Sequence, residues 1–309
     1  MVKYLTPIDQ LFELNRELIP SLEKFEYSII VVGGQALYYW IDYYYDFYNK
    51  MLLHERIDDG QIESIDIDYS ARLNDARYLP KIWNIDVYNE AKDSPPPSLA
   101  TIRLVNSKGE IKNKDGCLFI DTHEYLRNNQ LKANMVDIID FPMGFKHNDF
   151  TDSKKAELYT QCFEFPIDWQ CPSHPKLRIL NPISCLKSRL SNISAKIKDI
   201  QIEKERVKAI RVPIHAFLEQ KFKTNGFRTA RKYMDYFLDV IESDNGLKME
   251  ALHGIRLLVA VKNLKDNVLD KIKDIPEKYL SIELQSRINR IAEKISKKVN
   301  MTLSVASEE

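Results

Sequence analysis

The sequence predicts an α+β fold, with a mixed β-sheet flanked by helices over residues 1–178 and a helical bundle over 179–309. Three observations carry this. Short β-branched runs alternate with helical stretches in the first half. Beyond "KLRILNP" (176–182) nearly every stretch has helical character. The 309 residues also exceed the ~250 at which a single hydrophobic core stops growing, so about two domains are expected.

Thr6-Pro7 opens the first helix, because proline suits the first helical position and Ile8, Leu11, Phe12, Leu14 and Leu18 form an apolar stripe behind it. "YSIIVV" (27–32) reads as a buried strand closed by Gly33-Gly34. "QALYYWIDYYYDFY" (35–48) reads as a helix, and its six tyrosines are packing residues or, for 43–48, surfaces on which a base could stack. "SIDIDYS" (64–70) alternates with period two, as a half-buried strand does. "SPPPS" (94–98) is a turn, and "LATIRLV", "CLFID" and "NMVDIIDF" are further strands. "KLRILNP" is the last strand, ending in an Asn181-Pro182 helix start. The helices that follow are expected to break near Pro213, "TNGF" (224–227), "SDNG" (243–246) and "KDIPE" (273–277), which gives four or five of them.

The charges sum to zero, yet they are unevenly distributed. Fifteen Lys and Arg face four Asp and Glu from Lys176 to Lys232, whereas nine acids face three bases from Asp42 to Asp75. The basic run is either a solvated helix face or a surface for an anionic partner such as RNA. No apolar run is long enough to span a membrane, and charges interrupt the N-terminus before a secretory segment could form, so a cytoplasmic location is expected. Cys117, Cys162, Cys171 and Cys185 are widely spaced, which argues against a zinc site and for reduced thiols.

Two features point to chemistry. A strand, a Gly-Gly pair and a helix start leave backbone N–H groups open to a phosphate. In a strand, Asp66 and Asp68 point to one face, where their carboxylates suit hard cations such as a pair of Mg²⁺ ions. Asp137 or Asp140 would supply a third acid; a spacing of three puts them on opposite faces, and Asp137 is the choice, with Asp140 capping the strand end before Pro142.

These residues resemble a family. "VVGGQALYYW", "SIDIDY", "VDIIDFPMGF" and "LRILNPISCLKSRLSNI" are similar to the DNA polymerase β-like nucleotidyltransferase superfamily, and within it to the AbiEii-type toxins of toxin–antitoxin and phage-defence systems. The resemblance implies a nucleotidyltransferase-fold domain in which Asp66, Asp68 and Asp137 are catalytic metal ligands for two Mg²⁺ ions. It implies that Gly33, Gly34, Ser64, Lys187 and Arg189 bind an NTP, with Asn192 beside them, and Lys196-Ile197-Lys198-Asp199 only approximates the branch's basic helix motif. The expected activity is transfer of NMP to an RNA or protein hydroxyl. Arg206, Arg211, Lys221, Lys223, Arg228, Arg231 and Lys232 are candidates to hold RNA, and a cognate antitoxin is a possible partner. The competing readings are a catalytically inactive nucleotide-binding or protein-interaction module on the same fold, and an enzyme that modifies a small molecule.

Overall fold

The computed structural model describes residues 2–45, 64–86, 88–91, 98–196 and 199–306, with side chains to residue 300. Tyr48, most of the acidic 42–75 stretch, residues 94–97 of the proline turn and Ile197-Lys198 lie outside the described residues. The chain divides into two compact units, Met1–Trp40 with Asp59–Cys185, and Ile41–Asp58 with Leu186–Glu309.

The first unit is built on a seven-stranded mixed sheet. Helix α1 (Pro7–Leu18) begins where the sequence predicts, with the Thr6 hydroxyl accepting from the Asp9 N–H at 3.2 Å. Strand β1 (Ile29–Val32) is buried along its length and runs directly into α2 (Gly33–Tyr43). Strand β2 (Ile67–Ser70) and two short helices, α3 (Leu73–Ala76) and α4 (Leu79–Ile82), follow. Then come β3 (Tyr88–Glu90), β4 (Ser98–Arg103), the ribbon of β5 (Asn113–Lys114) and β6 (Cys117–Leu118), and α5 (Thr122–Asn128). The sheet is completed by β7 (Met135–Ile139), α6 (Ser153–Tyr159), β8 (Thr160–Cys162) and β9 (Leu177–Leu180). Its order is β3-β4-β7-β2-β1-β9-β8.

Strand β1 pairs antiparallel with β2 and parallel with β9, while β2 and β7 are parallel. One face carries Val31, Ile67, Tyr69, Val136, Ile138 and Ile179 against α1, all essentially inaccessible. Burial pushes the Tyr69 phenol well above its ordinary range. Its hydroxyl donates to Asn15 Oδ1 at 2.7 Å, and the Trp83 indole N–H donates to the Leu14 carbonyl at 3.1 Å, so the buried polar tips find partners on α1.

The period-two reading of 64–70 needs correction at its start. Residues 64–66 precede the strand, and the β1 and β7 registers begin at Asp68 and Ile67. The carbonyls of Ser64 and Ile65 are taken by side-chain amides of Gln35 and Asn134 rather than by a neighbouring strand.

The second unit is helical. Helix α7 (Pro182–Ala195) begins in the first unit, with Asn181 Oδ1 accepting from the Ser184 N–H at 2.9 Å, and continues into the second. It is followed by α8 (Ile200–Thr224), α9 (Phe227–Glu242), α10 (Asp244–His253), α11 (Leu257–Asn267) and α12 (Gln285–Ala306). The breaks at 224–227 and 243–246 occur where predicted, with Gly226 at φ +73° and the Ser243 hydroxyl accepting from Gly246 N–H. Pro213 does not break the chain, and α8 runs through it. A mid-helix proline costs roughly 3 kcal/mol. Val207, Ile210, Ile214, Phe217 and Leu218 on the same helix are 0–1% exposed, and burial of such side chains is worth roughly 1.5–3 kcal/mol each, so packing wins. A further break at Gly254, φ +68°, was not anticipated.

Among the described residues, no helix is long and apolar enough to cross a membrane.

Candidate functional site

The site is a row across the middle of the sheet. Thr101 of β4 pairs with Asp137 of β7, Asp137 with Asp68 of β2, and Asp68 with Val32 of β1, which is followed at once by Gly33. Partners in register share a face, so Thr101, Asp137 and Asp68 point away from α1, opposite Tyr69 and Ile138. Adjacent strands lie about 4.8 Å apart, which sets the two carboxylates side by side.

Gly33 has φ +69°, a conformation that favours glycine. A Cβ there would overlap the Asp68 carboxylate, and a Cβ on Gly34 would overlap the Ser64 hydroxyl. Both glycines are therefore required by the protein's own Asp68 and Ser64. The Asp68 carboxylate also lies at the N-terminal end of α2, where the helix dipole favours negative charge.

Asp137 is held by the Thr101 hydroxyl, which donates to Oδ1 at 2.8 Å. Sequence reading did not find Thr101, because its role depends on the β4–β7 register. Asp66 sits two residues before Asp68 and is exposed, in the bend ahead of the strand. Its same-face relation to Asp68 as a strand pair therefore does not hold. Among the described residues, no group of three or more His, Cys, Asp and Glu side chains is arranged to hold a metal ion. The structure thus brings Asp68 and Asp137 together in register and leaves Asp66 exposed ahead of the strand.

Asp140 has a different role from the strand-end cap expected of it. Its carboxylate takes the Arg72 guanidinium, and its Oδ2 lies 2.5 Å from His147 Nδ1. Arg72 also donates to the His147 carbonyl and lies 5.6 Å over the Tyr27 ring. This tie fastens the loop after β7 to the chain leaving β2.

Lys187, Arg189 and Asn192 belong to the second unit. Lys187 is half-buried and Asn192 is buried. Arg189, expected at a triphosphate, is 2% exposed and donates to Glu203 Oε1 at 3.0 Å. Arg206, expected at RNA, donates to the same oxygen at 3.2 Å. Glu203 is fully buried, so this Arg–Glu–Arg group is internal to the unit.

The other basic candidates are partly committed. Lys223 pairs with Glu219 at 2.5 Å, and Lys221 lies over the Phe217 and Tyr233 rings at 5.0 and 5.5 Å. Arg231 meets Asp235 and Glu283 and lies over Tyr279. Arg211 donates to the Lys208 carbonyl, whereas Arg228 and Lys232 are exposed. Tyr43 and Tyr45 are 41% and 58% exposed, so the packing reading does not cover them fully.

In comparisons with known proteins, no family model matches the chain, and neither the curated proteins nor the solved structures give a match.

Proposed function

We propose that the chain is a magnesium-dependent nucleotidyltransferase, a toxin-like enzyme that moves NMP from an NTP to a hydroxyl of RNA or protein. The observation that carries the reading is the registered pair Asp68–Asp137 beside the Gly33-Gly34 start of α2. Of the three expected ligands, Asp68 and Asp137 are in register and offer hard carboxylate oxygens of the kind magnesium takes, whereas Asp66 is not grouped with them. Asp68 and Asp137 would hold the magnesium, with its remaining positions left to the triphosphate. When bound, magnesium supplies positive charge that offsets a triphosphate and lowers the pKa of an attacking hydroxyl.

The chain's own residues set the rest. Thr101 occupies one oxygen of Asp137 and so orients the other. The first N–H groups of α2 have no partner within the helix, and they put the positive end of its dipole beside Asp68. Arg228 and Lys232 supply exposed positive charge for a polyanionic acceptor.

The test is transfer of label from each α-labelled NTP to total RNA and protein, with Asp68→Asn and Asp137→Asn as controls. Transfer lost in both variants supports the enzyme. Nucleotide binding that persists without transfer in the native chain favours the inactive module.

A further inference from the structure

The sheet face that carries Asp68 and Asp137 also carries Arg103. Strand β4 presents Thr101 and Arg103 to the same side, since residues two apart on a strand share a face. Thr101 pairs with Asp137, and Arg103 pairs with Met135. Arg103 therefore lies one strand across and two residues along from Asp137, on its side away from Asp68. It is exposed, and among the described residues it makes no hydrogen bond or ion pair.

A second arginine on this face, Arg178 of β9, is a contrast. Ile30 pairs with both Ser70 and Arg178, which sets Arg178 on the side of Asp68. Its guanidinium is committed to β8, with Nε donating to Thr160 Oγ1 at 2.6 Å and Nη2 to the Thr160 carbonyl at 3.3 Å. Arg103 has no such tie. Nor does it turn onto Asp137, whose Oδ1 takes the Thr101 hydroxyl instead. A guanidinium and a carboxylate that stay apart on one face can each meet a separate partner, the carboxylate a cation and the guanidinium a phosphate.

Position decides which phosphate. In the order β4-β7-β2-β1, Arg103 stands three strand spacings, about 14 Å, from β1 and the start of α2. With the triphosphate and magnesium at Asp68, beside the positive end of α2, the β4 side of Asp137 is left to the acceptor. An RNA hydroxyl placed there brings a backbone phosphate with it, whereas the hydroxyl of a protein side chain brings no such anion. Met135, in register with Arg103 and 36% exposed, offers a base an apolar surface beside that phosphate.

We propose that Arg103 grips a backbone phosphate of an RNA acceptor whose hydroxyl is presented at Asp137, so that this face takes RNA rather than protein. This rests on the nucleotidyltransferase reading for the transfer itself, in which the hydroxyl oxygen bonds the α-phosphorus, pyrophosphate leaves and the proton passes to solvent. Arg103 takes no part in that step. Its planar fork holds the acceptor by parallel hydrogen bonds to two phosphate oxygens.

The experiment compares the native chain with Arg103→Gln and Arg103→Lys. It measures binding of a fluorescein-labelled single-stranded oligoribonucleotide of mixed sequence by anisotropy across a salt series, NTP binding by calorimetry, melting temperature, and labelling of RNA and protein from α-labelled NTPs. Arg103→Gln is expected to weaken oligoribonucleotide binding about tenfold and to flatten its salt slope by about 0.7, the loss of one phosphate contact on a single strand. Its KM for RNA should rise in proportion, with kcat at saturating RNA unchanged. NTP affinity and melting temperature should stay at native values, and Arg103→Lys, which keeps the charge, should recover most of the RNA affinity and the whole salt slope. Arg103→Gln that binds and labels RNA as the native chain does, or that loses NTP affinity instead, would overturn the assignment alone. Label passing only to protein would also overturn it and leave the enzyme reading in place. No transfer by the native chain to either acceptor would overturn the enzyme reading, and the role of Arg103 with it.

Discussion

Gly33 faces two separate demands, a positive φ and the Asp68 carboxylate occupying the space of its missing side chain. Gly33→Ala should therefore cost about 3 kcal/mol of stability, from backbone strain together with overlap. Combined with Asp68→Ala, the loss should be smaller than the sum of the two single losses, since the overlap is relieved while the strain stays. Urea unfolding of the four proteins measures this. At Asp137, Thr101→Val removes one hydroxyl at nearly constant volume. It should leave the melting temperature within a few degrees and reduce transfer about tenfold, read as kcat with an unchanged KM for NTP. The glycine pair and the in-register acids at 68 and 137 follow the sequence pattern, whereas Asp66, expected on the same face as Asp68, lies ahead of the strand. The reason for the glycines was not, because the pattern suggested a phosphate and the fold shows a carboxylate and a hydroxyl. Thr101 was illegible, since nothing local marks a residue that acts through the register of another strand.

At the level of elements, ion pairs join helices that lie far apart in sequence. Arg287 of α12 meets Asp235 and Asp239 of α9, while Arg290 and Lys294 hold Glu242, and Lys298 reaches Asp244. For Glu242, burial acts to raise the carboxyl, but the hydrogen bonds and charges of Lys294 and Arg290 prevail and hold it below its ordinary 4.5. A depressed acid contributes stability above its unfolded value, and that contribution is lost as pH falls through the lower folded one. Glu242→Gln should thus cost about 1 kcal/mol at pH 7. The gap from the native chain should close as pH drops below about 4.5, followed by urea midpoints across pH. The buried triad is a sharper case. Glu203→Ala leaves Arg189 and Arg206 without their shared anion and should cost about 3–5 kcal/mol, more than Arg206→Ala, which leaves one pair intact. Strand and helix identities were largely readable because burial enforces periodicity. Pro213 was misread because local propensity was weighed without the apolar face it interrupts, and residues 64–66 were misread because alternating residue types persist where the strand ladder has not yet begun.

Across the whole molecule, the linear count of charge overstates the basic surface. Part of the excess between Lys176 and Lys232 is offset by acids later in the chain, such as Asp235 and Glu283 at Arg231. Part of it is buried on Glu203. Arg228→Glu with Lys232→Glu should therefore weaken RNA binding and flatten its dependence on salt, whereas Lys223→Ala, which removes a lysine already paired with Glu219, should change both less; filter binding across a salt series checks this. The mixed α and β character and the helical C-terminal region were visible in composition and periodicity. The fate of individual arginines was not, because pairing partners dozens of residues away appear only once the chain is folded. The central claim, that the Asp68–Asp137 pair carries transfer of a nucleotide, is tested most directly by incubating the protein with Mg²⁺, α-labelled NTPs and cellular RNA and protein, beside Asp68→Asn and Asp137→Asn. Label passing to a macromolecule with the native chain and falling at least about a thousandfold in both variants is the predicted result; equal labelling by native and variant proteins, or none by any of them with all four nucleotides, would contradict it.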